Sequence, residues 1–132
     1  LLHIADATGA RIRAAGMHRV ALLGTRATMV EPFYRERLER NYGLDVKIPQ
    51  KDEIEQVHRI IFEELCRGRI VEDSRRSYLS IMERMASEGA EAVILGCTEI
   101  GLLVAGVDCP VPMFDTTRIH AEAAVDFALQ EI

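Results

Sequence analysis

The stretch Ala92-Val93-Ile94-Leu95-Gly96-Cys97-Thr98-Glu99-Ile100 decides the fold. Its four leading apolar residues do not alternate with polar ones. That is the pattern of a strand covered on both faces, as in a parallel sheet. Glycine stops the run, and a thiol, a hydroxyl and an acid follow at once. Upstream, Val20-Ala21-Leu22-Leu23-Gly24 repeats the apolar run. Shorter strand patterns lie at Asp45-Val46-Lys47-Ile48, which alternates as an edge strand would, and at Val111 to Phe114. Leu1 to Ala5 reads as a further strand stub.

Helical patterns separate these strands. Asp6-Ala7-Thr8 is placed to cap a helix to about Ala15. A second runs from Thr25–Thr28 through about Asn41, with Met29, Phe33 and Leu38 on one side and Pro32 in its first turn. Asp52 to Arg67 carries Ile54, Val57, Ile61 and Leu65 at amphipathic spacing. Glu72-Asp73-Ser74 opens another helix, with Leu79, Met82 and Met85 inward, and Thr116 to Gln130 forms the last. Gly16, Gly43, Gly68 and Gly89 stand where helices should stop. Strand and helix alternate throughout, which predicts an α/β fold with a mostly parallel sheet.

The chain has 132 residues, 48% hydrophobic and 28% charged, a balance suited to one globular domain and unsuited to disorder. Sixteen basic and 21 acidic residues give a net charge of −5, which argues against broad nucleic-acid binding. No apolar run approaches the roughly 20 residues that span a bilayer, so no membrane partner is expected. Cys66, Cys97 and Cys109 match neither a zinc ribbon nor a CxxC pair, and His3, His18 and His58 have no metal spacing. No metal is expected, and reduced thiols in the cytoplasm are. Cys66 reads as core or core rim; Cys109 receives no role.

In parallel sheets, ligands bind beyond the carboxyl ends of the strands. Three such ends stand out: Gly24-Thr25-Arg26-Ala27-Thr28, Gly96-Cys97-Thr98-Glu99, and Asp115-Thr116-Thr117 with His120 one turn on. Cys97 is placed to begin a helix, whose N–H groups and dipole favour thiolate. Gly96 leaves room for a ligand to approach the backbone, and Glu99 is near enough to relay a proton. A buried Cys acting only as a small hydrophobe is the competing reading. Thr25 and Thr28 can hold a carboxylate or simply cap a helix. Asp115 carries the same two readings. His120 can orient a carboxylate or cap a neighbour.

Together these residues resemble the aspartate/glutamate racemase family of cofactor-independent amino-acid racemases. The resemblance is carried by Val20 to Met29, Ala92 to Ile100 and Phe114-Asp115-Thr116-Thr117-Arg118-Ile119-His120-Ala121. It runs along essentially the whole chain, matching the later part of the family's sequence. It implies a parallel-sheet sandwich of two similar lobes facing a cleft, each lobe supplying one catalytic cysteine. Cys97 matches the second cysteine, in its Gly-Cys-Thr motif. The first, in a Cys-Asn-Thr motif, is expected upstream of Leu1. Residues 17–106 would then be one nearly complete lobe, with 1–16 and 107–132 belonging to the other. The 132 residues alone are accordingly expected to be inactive.

The resemblance also implies catalysis by Cys97 with Glu99, substrate binding by Thr25, Thr28 and Thr98, and support from Asp115 and His120. It implies no cofactor, a small amino acid as substrate (aspartate, glutamate or a wider range) and a homodimer. Arg67 is a candidate for a distal carboxylate. Two alternatives stay open. One is another enzyme of the superfamily, such as a hydantoin racemase, maleate isomerase or arylmalonate decarboxylase. The other is a non-catalytic module that binds a small carboxylate.

Overall fold

The computed structural model describes residues 4–130. Its strands are β1 (Arg19–Leu23), β2 (Asp45–Lys47), β3 (Ala92–Leu95) and β4 (Met113–Asp115). They form one sheet in the order β2-β1-β3-β4, every pair parallel. The helices are α1 (Ile4–Ala14), α2 (Arg26–Val30), α3 (Pro32–Tyr42), α4 (Lys51–Glu63), α5 (Glu72–Ser87), α6 (Ile100–Val104) and α7 (Thr116–Gln130). The α/β class with a parallel sheet is therefore as the sequence reads.

The two apolar runs became the two central strands, and their lack of alternation has a direct cause. Ala21, Leu23, Val93 and Leu95 enter a core shared with α4, α5 and α6. Val20, Leu22, Ala92 and Ile94 point the other way, into a core with Ala5, Ile12 and Leu38. Both faces are covered, so every position along the strands must be apolar.

Several boundaries differ from the sequence reading. Leu1–His3 of the expected strand stub lie outside the described residues. Ile4 and Ala5 are already helical, so Asp6 sits within the first turn of α1 and does not precede it. The single helix expected from Thr25 to Asn41 is two. Pro32 disfavours helical geometry in the residue before it, and Glu31 is extended at φ −67°, ψ 138°. The break turns Phe33 outward, 67% exposed. The helix expected to Arg67 ends at Glu63, and a 3-10 turn over Leu65–Arg67 follows. Cys66 on that turn is exposed, not core rim. In α5, Tyr78 and Met82 are fully buried and Leu79 only packs against the core from its edge.

The glycine stops hold. Gly43 caps α3 at φ 65°, its N–H reaching Glu39 O at 3.1 Å. Gly16, Gly68 and Gly89 likewise take positive φ. The end segments join the same sheet and core as residues 17–106: β4 pairs with β3, and Ala5 and Ile12 of α1 pack with Val20 and Leu22. No helix among the described residues is long and apolar enough to cross a membrane.

Candidate active site

The sheet register gathers the three strand ends. Leu23 lies opposite Leu95, and Leu95 opposite Asp115. The turns that follow are therefore neighbours along one edge. Thr28 fills the space between the first two. A Cβ on Gly96 would lie 3.2 Å from the Thr28 methyl and 3.0 Å from Leu23 O. Gly96 thus makes room for the protein's own chain, where the sequence reading left that space for a ligand.

Cys97 does not begin a helix. Residues 97–99 form a turn, and α6 starts only at Ile100 and lasts five residues. Cys97 is half-buried against the core of α4, α5 and α6. Its Sγ–H donates to Glu99 Oε2 at 3.0 Å. Glu99 precedes α6, yet its side chain makes no cap bond to that helix.

The surroundings of the sulfur favour the protonated form over the thiolate. Burial pushes the Cys97 thiol up from an ordinary 9.0 to about 11, and the Glu99 carboxylate adds to the rise. The N–H groups of Glu99 and Ile100 pull the other way and do not win. A five-residue helix supplies too small a dipole to change that balance. Burial and the Glu99 carboxylate that accepts its S–H both favour Cys97 as a thiol.

The threonines divide in role. Thr25 is the N-cap of α2: its Oγ1 accepts from Thr28 N at 3.4 Å and sits 3.2 Å from Thr28 Oγ1. Arg26 N donates to His58 Nδ1 at 2.8 Å, and the Arg26 guanidinium is engaged by Glu55. That cation is therefore not free for a substrate. Thr98 is exposed, and its Oγ1 lies 3.2 Å from Thr117 Oγ1. Asp115 Oδ1 accepts from Thr117 N and Arg118 N at 3.1 and 3.3 Å, so Asp115 holds the start of α7. His120 is half-buried with its Nδ1 enclosed and unpaired, and no described contact joins it to Cys97.

Sequence reasoning missed Tyr78, and it quoted Thr117 at its strand end without giving it a role. Tyr78 is buried behind the thiol and donates to Val57 O at 2.7 Å. Burial above all, with Cys97 and Glu64 nearby, raises its pKa and keeps it neutral. Its position within an apolar helical face gave no polar signal. Thr116 Oγ1 donates to Leu95 O at 3.0 Å, tying α7 to the end of β3. No group of three or more potential metal ligands occurs among the described residues. A concavity lined by Arg19, Asp45, Lys47, Ile48, Arg84 and Glu88 lies apart from this edge, and Arg84 and Lys47 are already in ion pairs there.

Fold and site together define a class: a parallel α/β lobe presenting a thiol–carboxylate pair at the carboxyl edge of its sheet. Residues 1–124 match the model of the Asp/Glu/Hydantoin racemase family. The chain belongs to that family. It is similar to a crystal structure of a proposed Asp/Glu racemase from Yersinia pestis, at 50% identity and TM-score 0.93 over 98% of this chain. It is also similar to an aspartate racemase homologue from Pyrococcus horikoshii OT3, at 39% identity and TM-score 0.87 over 96%. Picrophilus torridus aspartate racemase shares the fold at 22% identity and TM-score 0.70 over 96% of this chain and 52% of its own. The chain spans only 56% and 55% of the first two structures' chains.

Proposed function

We propose that this chain is the part of a PLP-independent amino-acid racemase that carries its second catalytic cysteine. Aspartate, glutamate or a broader set of small amino acids would be the substrate. The observation that carries the reading is the Cys97 Sγ to Glu99 Oε2 hydrogen bond of 3.0 Å at the end of β3.

An amino acid's α-proton is weakly acidic, so inversion needs a base on one face and an acid on the other. In this reading, Cys97 is the acid in one direction. Its S–H delivers a proton to the substrate carbanion, leaving a thiolate that the neighbouring N–H groups stabilise. In the reverse direction that thiolate removes the α-proton. Glu99 holds the S–H and exchanges its proton with solvent between turnovers. The second thiol comes from outside these 132 residues, which is why the chain alone would not racemise. Thr25, Thr28 and Thr98 line the edge where the substrate carboxylate would bind, and the substrate needs no cofactor. A cytoplasmic homodimer completes the proposal.

The test is Cys97→Ala in the full-length protein, assayed by chiral chromatography over a panel of amino acids. Racemisation should fall to background while amino-acid binding persists. Unchanged racemisation would remove the cysteine mechanism. Loss of carbon dioxide without racemisation would transfer the protein to a decarboxylase reading.

A further inference from the structure

The Cys97-Thr98-Glu99 turn has weak restraints of its own. Its internal backbone bonds, Ile100 N to Cys97 O and Leu102 N to Glu99 O, measure 3.3 and 3.1 Å, and the helix that follows is one turn long. What fixes it comes from the far side of the sheet edge. The end of β4 and the first turn of α7 meet the β3 end, its turn and α6 at one place each. Thr116 Oγ1 donates to Leu95 O, the residue before Gly96, at 3.0 Å. Asp115 Oδ2 would lie only 2.7 Å from a Cβ on Gly101, so this carboxylate packs directly against α6. Thr117 Oγ1 sits 3.2 Å from Thr98 Oγ1, on the residue that lies between Cys97 and Glu99 in sequence.

We propose that Thr117 is a positioning residue for the Cys97–Glu99 pair, acting through the Thr98 hydroxyl. The proposal rests on the racemase reading for its effect on turnover, but its geometric content stands without it. Thr116 and Asp115 fix the height of α7 against β3 and α6. Thr117 then sets the rotation of the turn between them. Holding Thr98 in place keeps the sulfur tucked toward the core and the Glu99 carboxylate against it. It also leaves the Thr98 hydroxyl with bonding capacity facing the open edge. The titratable groups that face the thiol are Glu99 on its own turn and, from behind, Tyr78 of α5.

The experiment compares Thr117→Val and Thr117→Ser in the full-length protein. Its first readout is the pH profile of Cys97 alkylation by iodoacetamide, read at the Cys97 peptide by mass spectrometry with no substrate present. Loss of one hydrogen bond of ordinary strength corresponds to roughly a three- to ten-fold effect. Thr117→Val should therefore speed Cys97 alkylation at neutral pH by about that factor, shifting the profile to lower pH, because both burial and the Glu99 contact relax. Thr117→Ser keeps the hydroxyl and should restore the wild-type profile. The second readout is turnover: kcat should fall in Thr117→Val more than KM rises, and recover in Thr117→Ser. A Thr117→Val profile identical to wild type overturns the proposal. So does a Thr117→Ser variant as altered as Thr117→Val, since the threonine methyl would then be what matters. If Thr117→Val fails to fold, Thr117→Ala replaces it under the same criteria. A wild-type protein that racemises nothing sinks the functional reading, while the alkylation profiles still decide the role of Thr117.

Discussion

Replacing Gly96 by alanine probes the packing that brings the strand ends together. Gly96 has no positive φ, so alanine meets no backbone strain there. The cost is steric. The new Cβ would sit 3.0 Å from Leu23 O, 3.2 Å from the Thr28 methyl and 3.4 Å from a Leu22 methyl. Comfortable carbon contacts begin near 3.5 Å, so the Leu23 carbonyl and the Thr28 methyl must yield by a few tenths of an ångström, while the Leu22 methyl is close to ordinary contact. The carbonyl is the hardest to move, because it accepts the Gly96 N–H at 2.7 Å. Overpacking of this kind costs about 1–3 kcal/mol. The lower unfolded-state entropy of alanine returns about 0.4–1 kcal/mol. The net expectation is a loss of ~1–2 kcal/mol. Urea denaturation would show it as a lower midpoint at unchanged m-value. Thr28→Ser removes the crowding methyl, so combining it with Gly96→Ala should recover part of the loss. A Gly96→Ala protein as stable as wild type, or a double variant with no coupling, would refute the packing argument.

Glu99→Gln removes the carboxylate that helps hold the Cys97 proton. The Cys97 pKa should fall below about 11, seen as an alkylation profile displaced to lower pH. Gly43→Ala places a side chain in left-handed backbone at φ 65° with open space around it. Strain alone should then cost about 1–2 kcal/mol, measurable in the same urea titration. Glu91 accepts the N–H groups of His18 and Arg19 at 3.0 and 2.8 Å, which lowers its pKa in the folded state. Its contribution is therefore present above the unfolded carboxylate pKa and lost as pH falls through the folded value. Glu91→Gln should lower Tm at pH 7, and the gap to wild type should close in acid.

The sheet was legible because both central strands are buried on two faces, and such burial forces uninterrupted runs such as Val20–Leu23 and Ala92–Leu95. The limits of α7 were legible for a different reason: Asp115 precedes it and caps it through side-chain geometry that sequence patterns record. The break at Glu31 was missed because Pro32 can also sit inside a first turn, and only the observed extended backbone decides between the two. The turn after Glu63 escaped notice because Leu65 continues the apolar spacing of α4 even though the helix has ended.

At the site, residue identity was readable and electrostatic state was not. Cys97 and Glu99 stand two apart, and the structure joins them directly. A strand-end cysteine invites the expectation of a helix dipole and a thiolate. The short α6 and the half-buried sulfur reverse that balance, and neither is visible in the order of residues. Thr117 was named at its strand end but given no role, because its placement depends on the alignment of β4 with β3, a long-range pairing.

The most direct test of the central claim follows the α-proton itself. The full-length protein, incubated in D2O with each enantiomer of a racemised amino acid, should incorporate deuterium at Cα from both directions. Cys97→Ser should lose most of that exchange on the face served by Cys97, because the serine hydroxyl is a far poorer proton carrier at neutral pH. Wild-type rates of deuterium incorporation from both enantiomers in Cys97→Ser would contradict the assignment of Cys97 as the proton-transferring group.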